Sequence, residues 1–234
     1  MEYLKPYTYF VKTERGTTNV LWGSLALFST SIIPIIGQVV VFGYQAEVAE
    51  DLKNDPEIAE HRDFDPNKFV EYLTRGIWPM LIQIGIAFVG GGLGAMGVLI
   101  GMAIGWSADE PIIGLVIAGA FLIPILLFTT LITWPLTLHA QLSHGFQFGN
   151  ASRFTMAFFG KVGGQLFVTM LLHTLISFPL TIVGLLLCFI GIYPAMMISF
   201  MAQEHYMIQL YRIYLDEGGE PIGGPQDQLD ADDL

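Results

Sequence analysis

Residues 76–106 read GIWPMLIQIGIAFVGGGLGAMGVLIGMAIGW, and residues 111–138 read PIIGLVIAGAFLIPILLFTTLITWPLTL. Between Gly76 and Gln141 the chain has no Lys or Arg, and its acidic residues are Asp109 and Glu110 alone. A bilayer core about 30 Å thick is crossed by roughly 20 apolar helical residues. Helices satisfy their own backbone polar groups in lipid, whereas open strands do not. The two runs therefore predict two transmembrane helices joined by a short polar turn.

The composition of the whole chain agrees with a membrane protein. Hydrophobic residues make up 53% of the 234 residues and charged residues 13%, whereas soluble domains carry about 25% charged residues. The net charge of −11 argues against nucleic-acid binding and against a polybasic lipid-binding patch. One cysteine, Cys188, excludes a disulfide framework or a cysteine zinc site. We expect no cofactor.

Two further apolar regions complete the predicted fold. Val20–Tyr44 is one, and the other runs from about Gly163 to Met207, which is long enough for two helices turning near Thr181–Leu185. The sequence therefore predicts an all-α polytopic transmembrane bundle with about five segments, some kinked or broken at Pro or Gly. The predicted segments are 20–44, 76–106, 111–138, 163–183 and 185–207, all in one domain, 1–217.

The first segment contains Pro34, which leaves two interpretations open. A simple span would place the basic residues that precede it outside the cell. A helix broken at Pro34 and forming a re-entrant hairpin would keep them inside, although each half is shorter than a full span. The triplet Gly90–Gly92 is a second candidate break, because the run that contains it would form a helix longer than the bilayer core is thick.

Basic residues set the expected orientation, because cytoplasmic loops attract Lys and Arg. Loops 45–75 and 139–162 and the C-terminus are predicted to be cytoplasmic, and 107–110 outside. Asp65-Pro66 is typical of a helix N-cap with proline at the first position. It predicts a short interfacial helix over about 66–75. Residues 218–234 have few apolar side chains, and we expect an acidic disordered tail there.

Polar side chains within the predicted spans are few, and they are the candidates for a cavity lining. Intramembrane ionisable groups are functional candidates by default. The alternative for the one histidine among them is a neutral side chain hydrogen-bonded to a neighbouring helix, since no charged residue lies in a span to pair with it. We expect no catalytic and no metal site; His139 and His144 are five residues apart and do not share a helix face. The candidates are Gln38, Gln83, Gln165 and His173.

Glycines recur at helical spacing in the second segment. The string Gly92-Leu-Gly94-Ala-Met-Gly97 formally matches a dinucleotide fingerprint, but no room remains for the strand that such a site needs. Small residues at G-x-x-x-G spacing let helix backbones approach closely in lipid. We therefore predict a glycine-zipper packing face, against a helix of the same chain, another copy or another membrane protein. Its residues are Gly90, Gly94, Gly97, Gly101 and Gly105.

Several motifs resemble one family of prokaryotic membrane proteins. They are the string Ile33-Pro34-Ile35-Ile36-Gly37, then Gly43-Tyr44, Asp63-Phe64-Asp65, Phe69-Val70-Glu71 with Gly76, and the closing run 209–214. The family is domain of unknown function 4013. The resemblance implies a bacterial or archaeal cytoplasmic membrane protein of unknown activity, and it supplies no catalytic residue. The stretch 61–65 departs from the Leu-Pro and Trp that the family usually shows there.

Three functions remain open from sequence. The first is a non-enzymatic membrane component of the cell membrane, either a scaffold or a handler of lipids or small molecules, with the bilayer as its main partner. The second is a transporter or channel with a cavity lined by broken helices. The third is a membrane enzyme, which needs loop acids such as Glu47, Asp51, Asp63 and Asp65 to converge with His61; the competing interpretation of those acids is a solvated loop.

Overall fold

The computed structural model describes residues 1–12, 14–55, 62–187 and 190–223. Within these ranges the chain forms seven α-helices and one 3₁₀ turn, Pro66–Lys68, and no strand. The predicted all-helical class is confirmed for this part of the chain. The helices are α1 Lys5–Lys12, α2 Glu14–Ser29, α3 Ile36–Asn54, α4 Phe69–Ser107, α5 Pro111–Leu142, α6 Phe148–Leu186 and α7 Ile192–Asp216.

Three helical stretches are long and apolar enough to cross a membrane: Pro66–Ser107, Pro111–Leu142 and Phe148–Leu186. Only 11% to 22% of the most apolar window of each is buried inside the protein. Outward-facing apolar side chains are what a bilayer solvates. These helices are therefore compatible with a membrane protein, while the predicted count of about five segments is not confirmed.

Helices α2 and α3 divide the first predicted segment. The helical backbone ends at Ser29 and resumes at Ile36, and Ile35 adopts a left-handed φ of 79°. The two helices contact each other, because a Cβ placed on Gly37 would lie 1.8 Å from the Ala26 carbonyl oxygen. A glycine is required at that position. The segment is thus a broken pair of helices around Pro34 rather than one continuous helix.

Helix α4 differs from prediction at two places. It continues through Gly90–Gly92 without a break, because each glycine costs a helix only about 1 kcal/mol and the long helix on both sides offsets that cost. It also begins at Phe69, directly after the 3₁₀ turn, so the predicted interfacial helix 66–75 and the span 76–106 are one element. The predicted cap is present: the Asp65 carboxylate accepts a hydrogen bond of 2.9 Å from the Asn67 backbone N–H.

Helices α6 and α7 form the predicted C-terminal hairpin with shifted boundaries. Helix α6 starts at Phe148 rather than near 163, and it ends at Leu186, so the turn follows the expected 181–185. Gly184 lies against Gly191 beside the turn, and at the other end the Lys161 ammonium donates to the Glu217 carbonyl. Helix α6 starts earlier than predicted because the polar residues after Phe148 also form a helix. Hydropathy had excluded them from the predicted apolar segment.

The chain divides into two compact units. The larger comprises Met1–Met80 and Pro135–Leu234, and the smaller comprises Leu81–Trp134. The interior of the larger unit is rich in tyrosine; the most deeply buried are Tyr44, Tyr72, Tyr206, Tyr211 and Tyr214. Each brings a hydroxyl that needs a hydrogen-bond partner when buried.

The first residues of the predicted tail contact α7. The Ile222 backbone N–H donates to the Tyr211 hydroxyl at 2.8 Å, and the Glu220 N–H donates to the Tyr214 hydroxyl at 3.1 Å. Ile222 is buried. Residues 218–223 therefore lie against α7, where two tyrosine hydroxyls accept from their backbone. The disordered tail stays a prediction for 224–234, which lie outside the described part.

Candidate functional site

The predicted glycine face lies in the smaller unit and packs on α5 of the same chain. A Cβ added to Gly90 would lie 2.6 Å from Thr129 Cγ2, and one on Gly97 would lie 2.6 Å from Phe121 Cβ. The tightest approach is at Gly101, whose Cβ would lie 2.5 Å from the Gly114 carbonyl oxygen. Gly94 faces Leu122, and Gly105 faces Gly114. The spacing of these glycines thus allows α4 and α5 to approach closely.

The four candidate polar residues have different surroundings. Gln165 is exposed on α6, Gln38 is half-buried on α3, and Gln83 is half-buried within the smaller unit. His173 is half-buried on α6 and belongs to a hydrogen-bonded group, described next. The surroundings of the three glutamines give no functional indication.

His173 is held by the N-terminal helix. The Tyr7 hydroxyl of α1 lies 2.8 Å from His173 Nδ1 and 2.8 Å from the Ser177 hydroxyl. Burial raises the pKa of the Tyr7 phenol, so the hydroxyl keeps its proton and can donate. The Tyr206 ring meets the His173 ring edge-on at 5.8 Å. This environment is that of a histidine which ties α1 to α6.

A cluster of charged residues joins α3 to the segment that precedes α4. The Glu47 carboxylate is fully buried, with Arg62 Nη1 3.2 Å and Lys68 Nζ 3.6 Å from its two oxygens. Arg62 also binds Asp51 with two hydrogen bonds, one of them 2.8 Å from Nε. These hydrogen bonds, together with the charges of Asp51 and Glu47, raise the pKa of the Arg62 guanidinium. We call Glu47, Asp51, Arg62 and Lys68 the ion-pair cluster.

The backbone beside the ion-pair cluster is also held by side chains. The Arg62 carbonyl accepts hydrogen bonds from the Tyr44 hydroxyl at 3.0 Å and the Asn19 amide at 3.2 Å. Asn19 in turn accepts from the Phe64 backbone N–H at 2.8 Å. The solvated-loop interpretation is therefore wrong for Glu47 and Asp51, which pair with cations instead. His61 lies outside the described residues.

A second buried carboxylate lies on α7. Glu204 is 3% exposed, and its Oε2 accepts a hydrogen bond of 3.1 Å from the Gln141 side-chain amide of α5. Gln45 of α3 is 2% exposed and donates at 2.9 Å to the Phe200 carbonyl, one turn before Glu204. In the larger unit, α5 thus contacts α7 at Glu204, and α3 contacts α7 one turn earlier.

The described residues contain no group of three or more His, Cys, Asp or Glu side chains placed to share a metal ion.

The chain matches, over residues 26–189, a family described as "Protein of unknown function (DUF4013)". It belongs to this family. No curated protein matches the chain, and no solved structure does.

The glycines of the DUF4013 resemblance lie where helices approach most closely. A Cβ on Gly43 would lie 2.0 Å from the Tyr72 carbonyl oxygen, and one on Gly76 would lie 1.8 Å from the Val39 carbonyl oxygen. Together with Gly37, these residues pack α2, α3 and the start of α4 backbone to backbone. The resemblance therefore rests in part on packing residues.

Sequence reasoning did not single out Glu204. A pattern could have found it: Met197, Met201, Glu204, Ile208 and Tyr211 are spaced alternately by four and three residues, and all are buried. That spacing marks one face of a helix. Glu204 lies beyond the residues matched by the DUF4013 family.

Proposed function

We propose that this DUF4013 protein is a non-enzymatic, multi-pass component of the cytoplasmic membrane of a prokaryote. The observation that carries the proposal is the outward apolar surface of the three long helices. Phe88 is 83% exposed and Trp106 84% exposed, which in water would be a large unfavourable apolar surface. A bilayer around these side chains removes that cost.

The contacts within the larger unit support one orientation for its polar ends. Arg212, near the end of α7, donates to the carbonyls of Leu52 and Lys53 at 3.4 Å. Arg75 of α4 donates to Glu50 at 3.0 Å. Loop 45–75 and the C-terminal end of α7 therefore lie together, and their basic residues favour the cytoplasmic side.

The role that this geometry favours is scaffolding. The charges of the ion-pair cluster compensate one another and tie a loop to α3, a structural use of charge. The glycine face is occupied by α5 of the same chain. A homo-oligomer, or a complex with another membrane protein, would therefore use the outward apolar faces.

Cysteine accessibility in intact cells tests the membrane assignment and the orientation. With Cys188 replaced by Ala, single cysteines are placed at Asp109, between α4 and α5, and at Asn67, before α4. We expect a membrane-impermeant maleimide to label position 109 in intact cells and position 67 only after the membrane is opened. The reverse pattern would contradict the orientation, and extraction of the protein by alkaline carbonate would contradict membrane insertion.

A transporter is the second candidate, favoured by the buried carboxylate of Glu204. Intramembrane or deeply buried acids often mark ion pathways. In proteoliposomes, a transporter would move protons or alkali cations at a rate that falls when Glu204 is replaced by Gln. Equal rates for wild type and variant would remove the reason for this candidate.

A further inference from the structure

Side chains of α3 and α5 hydrogen-bond to two successive turns of α7, at Phe200 and at Glu204. In an α-helix the carbonyl of residue 200 accepts from the N–H of residue 204. The Gln45 amide donates to the same Phe200 carbonyl oxygen at 2.9 Å. It therefore lies near the backbone N–H of Glu204. On the other side, Gln141 holds Glu204 Oε2. Thr137 is one turn before Gln141 and shares its face of α5.

Three buried oxygens in this group have no hydrogen-bond partner among the described residues. They are Glu204 Oε1, Gln45 Oε1 and Thr137 Oγ1. Their side chains are at most 4% exposed, so bulk water does not solvate them. An unsatisfied buried acceptor costs free energy. The Glu204 and Gln45 oxygens can only accept, whereas the Thr137 hydroxyl can donate or accept, so the two acceptors lack a donor or a positive charge.

The chemistry of these groups selects the charge of the ligand. Carboxylate, amide carbonyl and hydroxyl oxygens are hard ligands, which suit protons and hard cations. One carboxylate balances one positive charge, whereas a divalent ion would leave a net charge buried at high cost. The other nearby acid, Glu47, already pairs with Arg62 and Lys68.

We propose that Glu204, together with Gln45, Thr137 and Gln141, forms a buried site that binds one monovalent cation, taken from solution as H⁺ or Na⁺. Gln141 orients the carboxylate through Oε2 and leaves Oε1 for the cation. The amide oxygen of Gln45 and the hydroxyl of Thr137 complete the oxygen ligands. The site goes beyond the scaffold role and does not depend on it.

Other titratable groups lie on the helix segments that meet here. They are Glu47 on α3, His139 on α5 and His205 on α7. Their protonation is common to the wild type and to a variant altered only at Glu204. The difference between the two proteins therefore isolates Glu204. Glu204→Gln keeps an oxygen that accepts from Gln141 and removes only the charge.

The experiment measures thermal unfolding of the full chain in detergent, in NaCl and in choline chloride at equal ionic strength. If Na⁺ is bound, NaCl raises the wild-type midpoint by about 3 °C or more over choline chloride near pH 9, where protons compete least. If a proton is bound, the wild-type midpoint falls between about pH 6 and pH 9 in both salts. In both cases Glu204→Gln loses the dependence. Identical profiles for wild type and Glu204→Gln overturn the proposal.

Two controls keep the test decisive. Asp109→Asn removes an exposed acid in the smaller unit, at a position whose φ of 55° Asn tolerates, and it should retain the wild-type profile. If Glu204→Gln does not fold, infrared spectroscopy of the wild type replaces it. The band of a protonated carboxyl should weaken on raising the pH or on adding Na⁺; a band that neither treatment changes, or none at any pH, overturns the proposal.

Discussion

The guanidinium of Arg62 lies 3.2 Å from the fully buried carboxylate of Glu47. This contact connects the chain before α4 to the middle of α3, and Asp51 binds the same guanidinium. Removing one partner of a buried ion pair leaves an uncompensated charge, which costs about 3–5 kcal/mol. Arg62 is about one-third exposed and Lys68 stays 3.6 Å from the Glu47 carboxylate, so water and the second cation offset part of that cost.

We therefore expect Arg62→Gln to lower the free energy of unfolding by about 2–3 kcal/mol, measured by denaturation in detergent micelles. In a Glu47→Gln background the same substitution should cost distinctly less, because no buried carboxylate then loses a cation. Arg15→Gln is the matched control; the Arg15–Asp63 pair is exposed at 3.7 Å and should contribute about 1 kcal/mol or less. Equal costs at Arg62 in both backgrounds would show that the pair is not coupled.

The second prediction concerns the closest approach of α4 and α5. Gly101→Ala would place a Cβ 2.5 Å from the Gly114 carbonyl oxygen and 2.7 Å from the Ala118 nitrogen. Backbone atoms cannot rotate away, so the helices must separate. We expect a loss of about 1–3 kcal/mol in unfolding free energy, typical of overpacking.

Gly92→Ala is the control for Gly101→Ala. A Cβ there meets no atom within 4 Å, and Ala favours a helix interior over Gly by about 1 kcal/mol. The midpoint of thermal unfolding should therefore stay level or rise. A loss as large as that of Gly101→Ala would contradict the packing explanation, because helix propensity favours Ala at both positions.

The sequence predicts those parts of the fold that depend on local pattern. The apolar run 111–138 lies within α5, and the Asp65 cap and the interruption at Pro34 depend on single residues with strong backbone preferences. Gly90–Gly92 shows the limit of that reasoning, because the three glycines remain helical although a Cβ on Gly91 or Gly92 would meet no atom within 4 Å. A glycine costs a helix only about 1 kcal/mol, which the rest of a long helix can offset.

The candidate site was less predictable than the fold. Hydropathy is averaged over a window of residues. Glu204, with Gln203 and His205 on either side, therefore has the pattern of a polar helix end. The burial of Glu204 depends instead on Gln45 and Gln141, which are distant in the chain. The same holds for Glu47, whose cations are 15 and 21 residues further along the chain (62 − 47 and 68 − 47). Contacts between residues this far apart in the chain can be identified only when the positions of the helices are known.

A third prediction concerns the segment after α7. Tyr211→Phe removes the hydroxyl that accepts the Ile222 backbone N–H at 2.8 Å. One lost hydrogen bond is worth about 1 kcal/mol, so hydrogen exchange at the Ile222 amide should accelerate by about fivefold. Tyr193→Phe makes the same chemical change at the start of α7, next to Ser31, and should leave exchange at Ile222 unchanged. Equal acceleration in both variants would indicate loss of α7 packing.

The fourth prediction concerns the attachment of α1. Tyr7→Phe keeps the ring but removes the hydroxyl that lies 2.8 Å from both His173 Nδ1 and the Ser177 hydroxyl. The half-buried imidazole and hydroxyl then lose a partner, which costs about 1–3 kcal/mol. Because this cost falls on the contact between α1 and α6, the N-terminal helix should detach more often while the remaining fold persists.

Limited proteolysis measures that detachment directly, since a protease cleaves the N-terminal residues only when they leave the bundle. We expect Tyr7→Phe to be trimmed at its N-terminus about tenfold faster than wild type, in line with about 1.4 kcal/mol. Tyr3→Phe is the control, because its hydroxyl contacts only the Met1 sulfur at 3.8 Å among the hydrogen bonds described. His173→Asn, which shortens the side chain that Tyr7 contacts, should reproduce the faster trimming. If it does not, Ser177 rather than His173 is the partner that holds α1 in place.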